Sequence, residues 1–324
     1  MAGQSKLPRP PWACEPTLLE RLLGYLLALI LAILVLSAPI WMYIIFQETV
    51  GDWLRKPHRQ QAQHIRELTE KARELRKAEN WDEAIKVYTE IIESKAKQPD
   101  ELFASVYLLR ANCYVQKGDL NRGIADYTMS IALNPKEHRS YLLRGRAYRE
   151  RGEYERAIAD HTKAFELAPT DASNLKLRAF AQYLKGEYAG AAEDWRTALQ
   201  YLHGRQEMIY CHLWLFVALA HLEIDGTIDL SAYHNRQRSP TKWPMAIVAM
   251  LLGKTSPDEL LRSASGGEDS LKRKCEAHFY IAHYYLVNSQ NVLARAHLQQ
   301  CLDTGVTDYY EYKAAEVDIS RIDK

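Results

Sequence analysis

The stretch Tyr141–Pro169 reads YLLRGRAYRERGEYERAIADHTKAFELAP, and its pattern recurs on both sides of it. Gly152 has counterparts 34 residues away in each direction, at Gly118 and Gly186. The same spacing relates sets of leucines, arginines and aspartates, which are Leu109, Leu143 and Leu177, Arg110, Arg144 and Arg178, and Asp126, Asp160 and Asp194. A fixed period of this length indicates a two-helix unit stacked on copies of itself, because one unit alone cannot bury its apolar face.

The quoted unit resembles those of the tetratricopeptide-repeat (TPR) family. It has the family's small residue, aromatic residue, turn glycine, second-helix alanines and closing proline, at Gly145, Tyr148, Gly152, Ala157 and Ala164, and Pro169. A weaker unit begins near Ile65, so four units are predicted over residues 64–203. The resemblance implies an all-α solenoid of helix–turn–helix repeats. In this fold, the Arg and Asp that recur in units two to four are expected to tie helices together by charge-assisted hydrogen bonds.

The C-terminal half is predicted to contain a non-repeat helical segment, residues 204–269, followed by a TPR-like unit and a capping helix, residues 270–324. Within the first segment, residues 207–222 are apolar nearly all round, which indicates a buried helix. This half is similar to the bacterial NlpI-type TPR lipoproteins in its Trp243, Leu252-Gly253, Ser256, Glu259-Leu260, Phe279-Tyr280 and Tyr284–Leu286. The resemblance implies an adaptor that brings proteases or cell-wall hydrolases to their substrates.

A run of 25 residues without a charged side chain, Leu22–Phe46, follows an N-terminal tail of residues 1–21. At 1.5 Å per residue, a helix of this length spans about 37 Å, enough to cross a bilayer core of roughly 30 Å. We therefore expect a single-pass transmembrane helix that contacts the lipid bilayer, with residues 47–63 as a linker. Basic residues flank both ends of the run almost equally, so the orientation stays open.

Composition excludes several classes of function. Lys and Arg number 42 and Asp and Glu number 41, so the net charge of +1 gives no field that would attract nucleic acid. The sequence has no phosphate-binding, zinc-protease or serine-hydrolase motif, and we expect neither an enzyme nor a cofactor. Cys275 and His278 offer two ligands on one helix, too few for a metal site. The five scattered cysteines do not form a disulfide framework.

The first helices of TPR units line a groove, and the resemblance carries partner-binding positions onto this chain. These are Arg73, Arg76, Asn112, Arg139, Arg146, Arg149, Lys176, Phe180 and Tyr183. The predicted groove is basic at one end and aromatic at the other. Since Arg binds carboxylates bidentately, we expect other proteins as partners, presenting an acidic segment or a C-terminal peptide.

The sequence thus predicts a membrane-anchored scaffold or adaptor at a bacterial inner membrane, with its repeat domain in the periplasm. Two alternatives stay open at this point. One is a cytoplasm-facing TPR factor for assembly or quality control of a membrane complex. The other is an accessory subunit of an envelope protease or hydrolase.

Overall fold

The computed structural model describes residues 18–35, 60–94, 100–235 and 243–322. Within these ranges the chain forms sixteen α-helices and no β-strand. The helices are α1 Leu18–Val35, α2 60–77, α3 Trp81–Glu93, α4 Asp100–Gln116, α5 Leu120–Leu133, α6 His138–Glu150, α7 Tyr154–Leu167, α8 Ala172–Lys185, α9 Tyr188–Ala198, α10 Arg205–Ala220, α11 Thr227–Asn235, α12 Met245–Leu251, α13 Pro257–Ala264, α14 Ser270–Val287, α15 Asn291–Asp303 and α16 Tyr310–Ile322.

Helices α2 to α9 form four pairs, which we number units one to four, and the all-α repeat architecture is confirmed. Asp119 and Asp171 cap α5 and α8, accepting hydrogen bonds from the backbone N–H groups of Arg122 and Ser173. Glycines end the first helices of units two to four with positive φ angles of 80°, 77° and 97°, at Gly118, Gly152 and Gly186. This left-handed conformation strains other residues, which explains why the turn glycine repeats.

The small residue in each first helix allows the second helix to pack closely. At Gly145 of α6, an added Cβ atom would lie 2.8 Å from the Cε1 atom of His161 on α7. Units two and four have alanine at the same register, Ala111 and Ala179, and both are fully buried. The position therefore needs a small side chain because a ring from the second helix packs against it.

An arginine of the first helix pairs with an aspartate of the second helix in each of units two to four. Each guanidinium donates two hydrogen bonds of 2.6–2.9 Å to its carboxylate, in the pairs Arg110–Asp126, Arg144–Asp160 and Arg178–Asp194. The Nη1 atom of the same arginine donates to a threonine of the preceding unit at 2.9–3.2 Å, namely Thr89, Thr128 and Thr162. Each arginine thus ties both its own helix pair and the neighbouring unit, which confirms the structural interpretation of the repeat.

The C-terminal half extends the solenoid and shares its largest core with unit four. Helix α10 is mostly buried from Ile209 to Leu219, as its apolar sequence indicates, whereas residues 205–207 at its start are exposed. Helices α14 and α15 pair in the manner of a repeat, and α16 packs against both and against α8 of unit four. Cys275 of α14 and Cys301 of α15 are buried free thiols with their Sγ atoms 3.4 Å apart.

The predicted membrane span is only partly covered by the structure. Helix α1 includes residues 22–35 of it, whereas residues 36–46, the tail residues 1–17 and the linker residues 47–59 lie outside the described residues. Within the ranges given above, none of the helices meets the combined requirement of length and apolar character for crossing a bilayer.

Candidate partner-binding site

The basic end of the predicted groove lies on the inner face, which we define as the surface formed by the first helices α2, α4, α6 and α8. Arg73, Arg139 and Arg146 have exposed side chains on this face. Arg73 forms a 2.8 Å ion pair with Glu70 one turn earlier on α2. Guanidinium groups of units one and three are therefore accessible to a ligand.

Other predicted groove residues partly serve the fold itself. Asn112 accepts a hydrogen bond of 2.5 Å from the Tyr127 hydroxyl. Arg76 is half-buried and lies close enough to Tyr88 to affect the pKa of that hydroxyl, which burial raises. The Nζ atom of Lys176 lies 4.0 Å from a carboxylate oxygen of Glu207, an exposed contact that leaves the ammonium group free to bind elsewhere.

The aromatic end of the predicted groove is covered by the chain's own C-terminal helix. Phe180 is only 3% exposed, and the ring of Tyr310 on α16 packs edge-on against it with ring centroids 4.5 Å apart. The guanidinium of Arg149 lies over both rings, 5.3 Å and 5.1 Å from their centroids. In the described structure, Phe180 and Arg149 therefore stabilise the docking of α16, although an edge of Phe180 still reaches a pocket.

Tyr183 is fully buried, so its predicted position on the groove surface is wrong. Its hydroxyl donates a hydrogen bond of 2.5 Å to Asp318 of α16. Arg321, one turn further along α16, donates to the main-chain oxygens of Tyr183 and Leu184 at 3.3 Å and 2.7 Å. The physical reason is that α16 lies across α8 and removes this part of the inner face from solvent.

A pocket of about 620 Å³ remains open where α6 and α8 meet α10, α14 and α16, and we call it the junction pocket. Aromatic rings and four carboxyl side chains line it, including Phe180, Tyr210, Trp214, Tyr310, Glu207, Glu276, Asp308 and Glu311. Arg146 and Lys176 of the predicted groove also line it. The structure thus brings the basic residues of units three and four to a concave, largely aromatic site.

Two of the glutamates of the junction pocket, Glu276 and Glu311, have raised pKa values. Burial raises the pKa of Glu276 to about 7, even though Trp243 and Tyr210 donate hydrogen bonds to its carboxylate, the former at 2.7 Å. Burial and the nearby Glu276 raise the pKa of Glu311 to about 8, against a 3.0 Å hydrogen bond from Tyr280. At pH 7 Glu276 is therefore about half protonated and Glu311 mostly protonated, which reduces the negative charge of the pocket's four carboxyl groups beside Arg146 and Lys176.

The pocket residues that belong to the C-terminal half of the chain were not predicted from the sequence. Tyr210, Trp214, Glu276 and Glu311 lie outside the clear 34-residue register and carry no motif. The available signal was a glutamate beside an apolar stretch of helix, since most residues from Ala277 to His283 of α14 are apolar and buried.

The period, the helix pairs and the Arg–Asp ties define a helical-repeat protein whose inner face and junction pocket form a binding surface. A family model described as tetratricopeptide repeat matches residues 69–138 and 108–172. Residues 69–172 of the chain are therefore tetratricopeptide repeats.

One of three similar solved structures shows the same fold. A crystal structure of a TPR protein from Parabacteroides merdae superposes with a TM-score of 0.55 at 15% identity, covering 79% of this chain and 98% of that one. PilF of Pseudomonas aeruginosa gives a TM-score of 0.48 at 12% identity, covering 80% and 99%. The TPR2B domain of yeast Sti1, in its complex with pHsp70, gives 0.35 at 26% identity, covering 36% and 96%.

No curated protein matches the chain. The similarity of the C-terminal half to NlpI-type lipoproteins stays a prediction, because the family model ends at residue 172.

Proposed function

We propose that this protein is a scaffold that binds partner proteins through the inner face of units one to three together with the junction pocket. The observation that carries the proposal is the position of this pocket. It lies beside the exposed Arg146 and the half-exposed Lys176, at the one end of the inner face where α16 leaves a concave opening among the described residues. TPR proteins generally act by binding other proteins, and no catalytic motif competes with this function.

The partner that best suits this surface is an acidic segment or a C-terminal peptide. Its carboxylates would pair with the guanidinium groups of Arg139 and Arg146 and with the Lys176 ammonium. An adjacent apolar or aromatic side chain would enter the junction pocket and pack on Trp214 and Tyr210, which is the role of a buried anchor in a peptide complex. The raised pKa values of Glu276 and Glu311 reduce the repulsion between the pocket's own carboxyl groups and such an anionic ligand.

This proposal is tested by removing the two positive charges that border the pocket, Arg146 and Lys176, together with that of Arg139 in the first turn of α6. We expect the triple variant Arg139→Gln, Arg146→Gln and Lys176→Gln to fold normally, because exposed substitutions change stability by under about 0.5 kcal/mol each. Its association with partners captured by the wild-type chain should slow about tenfold or more at low salt, since steering charges act mainly on the association rate. Surface-immobilised partner and stopped-flow or interferometry measurements give that rate. Arg149 is left unchanged because its guanidinium packs against the rings of both Phe180 and Tyr310.

The matched control removes three charges from the outer helices α5 and α7, in the variant Arg122→Gln, Arg156→Gln and Lys163→Gln. All three side chains are exposed. This variant loses three positive charges, as the inner-face variant does, so the change in net charge is the same. If both triple variants bind the partners equally well, the inner face does not recognise them and the proposal is wrong.

We further propose that the segment Leu22–Phe46 holds the scaffold in a bacterial inner membrane, with the repeat domain in the periplasm. The proposal is supported by the absence of charged residues from this segment and by the exposed leucines of α1, such as Leu22, Leu23 and Leu26. A solvent-exposed leucine row of this kind is stabilised by contact with lipid.

We expect the full-length protein to remain in the membrane pellet after alkaline carbonate washing, whereas a chain beginning at residue 60 should appear in the supernatant. Release of the full-length protein by the same wash would refute the anchor. Labelling of a cysteine introduced at Lys324 with a membrane-impermeant reagent, in intact spheroplasts, distinguishes the periplasmic orientation from the cytoplasm-facing alternative.

A further inference from the structure

Four side chains from four different helices converge on one buried point between unit four and the C-terminal half. They are Tyr183 of α8, His221 at the end of α10, His283 of α14 and Asp318 of α16. The Tyr183 hydroxyl lies 3.0 Å and 3.3 Å from the Nε2 atoms of His221 and His283, and 2.5 Å from Oδ2 of Asp318. Those Nε2 atoms lie 3.6 Å and 3.3 Å from the carboxylate oxygens.

This cluster has more lone pairs than protons. The Nδ1 atom of His283 lies 2.9 Å from the carbonyl oxygen of Phe279, which can only accept, so Nδ1 carries the proton and Nε2 directs a lone pair into the cluster. The Tyr183 hydroxyl has a single proton for the acceptors around it. Among the described residues, Oδ1 of Asp318 is buried without a hydrogen-bond donor. Buried acceptors of this kind are normally satisfied, and a cation would satisfy several of them at once.

Three of these side chains, His221, His283 and Asp318, are close enough to share one ion. With metal–ligand bonds of about 2.0–2.1 Å, the ligand atoms of a tetrahedral zinc site lie roughly 3.4 Å from one another. The Nε2 atoms of the two histidines lie 3.6 Å and 3.3 Å from the carboxylate oxygens of Asp318, and the three ligand atoms all lie within 4.8 Å of each other. Nitrogen and oxygen donors of this kind suit Zn²⁺.

The surroundings of the cluster are those of an oriented metal site. The bond from His283 to Phe279 fixes the ring and its tautomer, as second-shell carbonyls do for metal ligands. The ring of Tyr188 stacks on His221 with centroids 4.1 Å apart. The side chain of His221 is 16% exposed, which gives an ion a short route from solvent. Arg321, 3.7 Å from Asp318, is held by hydrogen bonds to Tyr188 and to main-chain oxygens.

We propose that His221, His283 and Asp318 hold a zinc ion, with water as the fourth ligand and Tyr183 hydrogen-bonded to Asp318, and that this site fastens the C-terminal helix α16 to the solenoid. Because its ligands come from the end of α10, from α14 and from α16, the ion binds the folded chain and not the unfolded one. It therefore stabilises the arrangement in which α16 covers the aromatic end of the inner face. This inference is independent of the proposed partner binding.

The test uses the full chain without a histidine tag, freed of metal by chelation and dialysis. We expect isothermal titration with Zn²⁺ to show one site per chain with micromolar or tighter affinity, and zinc to raise the Tm. Titration with Co²⁺ should give the intense visible absorption of a tetrahedral centre. His221→Gln is the mildest ligand change because this side chain is the most exposed, and it should weaken zinc binding at least 100-fold.

The matched control is His278→Gln, since His278 is half-buried on α14 and forms a hydrogen bond of 2.9 Å with His297 instead. This variant should bind zinc as the wild-type chain does. Absence of stoichiometric Zn²⁺ or Co²⁺ binding to the wild-type chain would overturn the proposal without reference to any variant. Equal loss of binding in His221→Gln and His278→Gln would also overturn it, by placing the ion elsewhere.

Discussion

Replacing Asp160 by alanine is expected to lower the free energy of unfolding by roughly 3 kcal/mol. In the wild-type chain the carboxylate of Asp160 accepts two hydrogen bonds of 2.8 Å from Arg144, and the two side chains are only 9% and 17% exposed. Removal of the carboxylate leaves the guanidinium with its 3.0 Å bond to Thr128 and without its counter-charge in a poorly hydrated site. Chemical denaturation monitored by circular dichroism measures the loss.

The location of the destabilised units tests the repeat model as directly as the loss of unfolding free energy does. Since each repeat contacts only its neighbours, hydrogen exchange should accelerate most in units two and three and least in α14 and α15. Glu166→Ala provides the control on the same helix, because Glu166 and Lys163 form an exposed ion pair at 2.9 Å and its removal should have no measurable effect.

The double variant Arg144→Met with Asp160→Leu separates two explanations for the loss. If the cost of Asp160→Ala arises from the unpaired arginine, the double variant should recover much of the stability, because apolar residues can replace a buried ion pair at little cost. A single variant as stable as the wild-type chain would show that the Arg–Asp tie is not required for stacking of the units.

Replacing His161 by phenylalanine is expected to stabilise the protein more at acidic pH than at neutral pH. The ring of His161 is fully buried in α7, and both of its nitrogens lack a hydrogen-bond partner within the described residues. Burial, together with the positive charges of Arg149, Arg146 and Arg178, lowers the pKa of His161 to about 3. Phenylalanine fits the register, because units two and four have Tyr127 and Trp195 at the equivalent position.

The expected pH dependence follows from the difference between the folded and unfolded pKa values of His161. In the unfolded chain its pKa is about 6.5, so between pH 6.5 and 3 the unfolded state binds one more proton than the folded state. This contribution to stability is therefore complete above pH 6.5 and is lost as the pH falls, by about 1.4 kcal/mol for each unit. The phenylalanine variant should gain roughly 2 kcal/mol over the wild-type chain on going from pH 7.5 to pH 5.

Urea denaturation of both chains at several pH values measures this gain. His203→Gln is the control, since His203 is exposed, and it should follow the wild-type profile. A phenylalanine variant whose stability runs parallel to that of the wild-type chain from pH 7.5 to pH 5 would show that His161 is protonated in the folded protein.

The 34-residue pattern in the sequence is sufficient to predict the repeat unit and much of its interior. The period of 34 residues predicted the turn glycines, the small residue at Gly145 and the Arg–Asp pairs. In the structure the glycines end the first helices, Gly145 lies where two helices pack, and the Arg–Asp pairs join the two helices of a unit. These features can be read locally, because each depends on residues within one unit or its immediate neighbour. The longest separation in the Arg–Asp–Thr ties is 21 residues.

Only the tertiary structure decided which part of the inner face is open. The repeat register placed Phe180 and Tyr183 on a solvent-facing groove, but Tyr183 bonds to a residue 135 positions away on α16. The segments that bring α16 back onto α8 have no period, so their path depends on complementary packing among α10, α14 and α16 that no local pattern encodes. The junction pocket and the buried Tyr–His–His–Asp cluster arise from the same long-range packing. The repeat sequence therefore specifies the two-helix unit, whereas the packing of α16 against α8 determines which residues form the junction pocket.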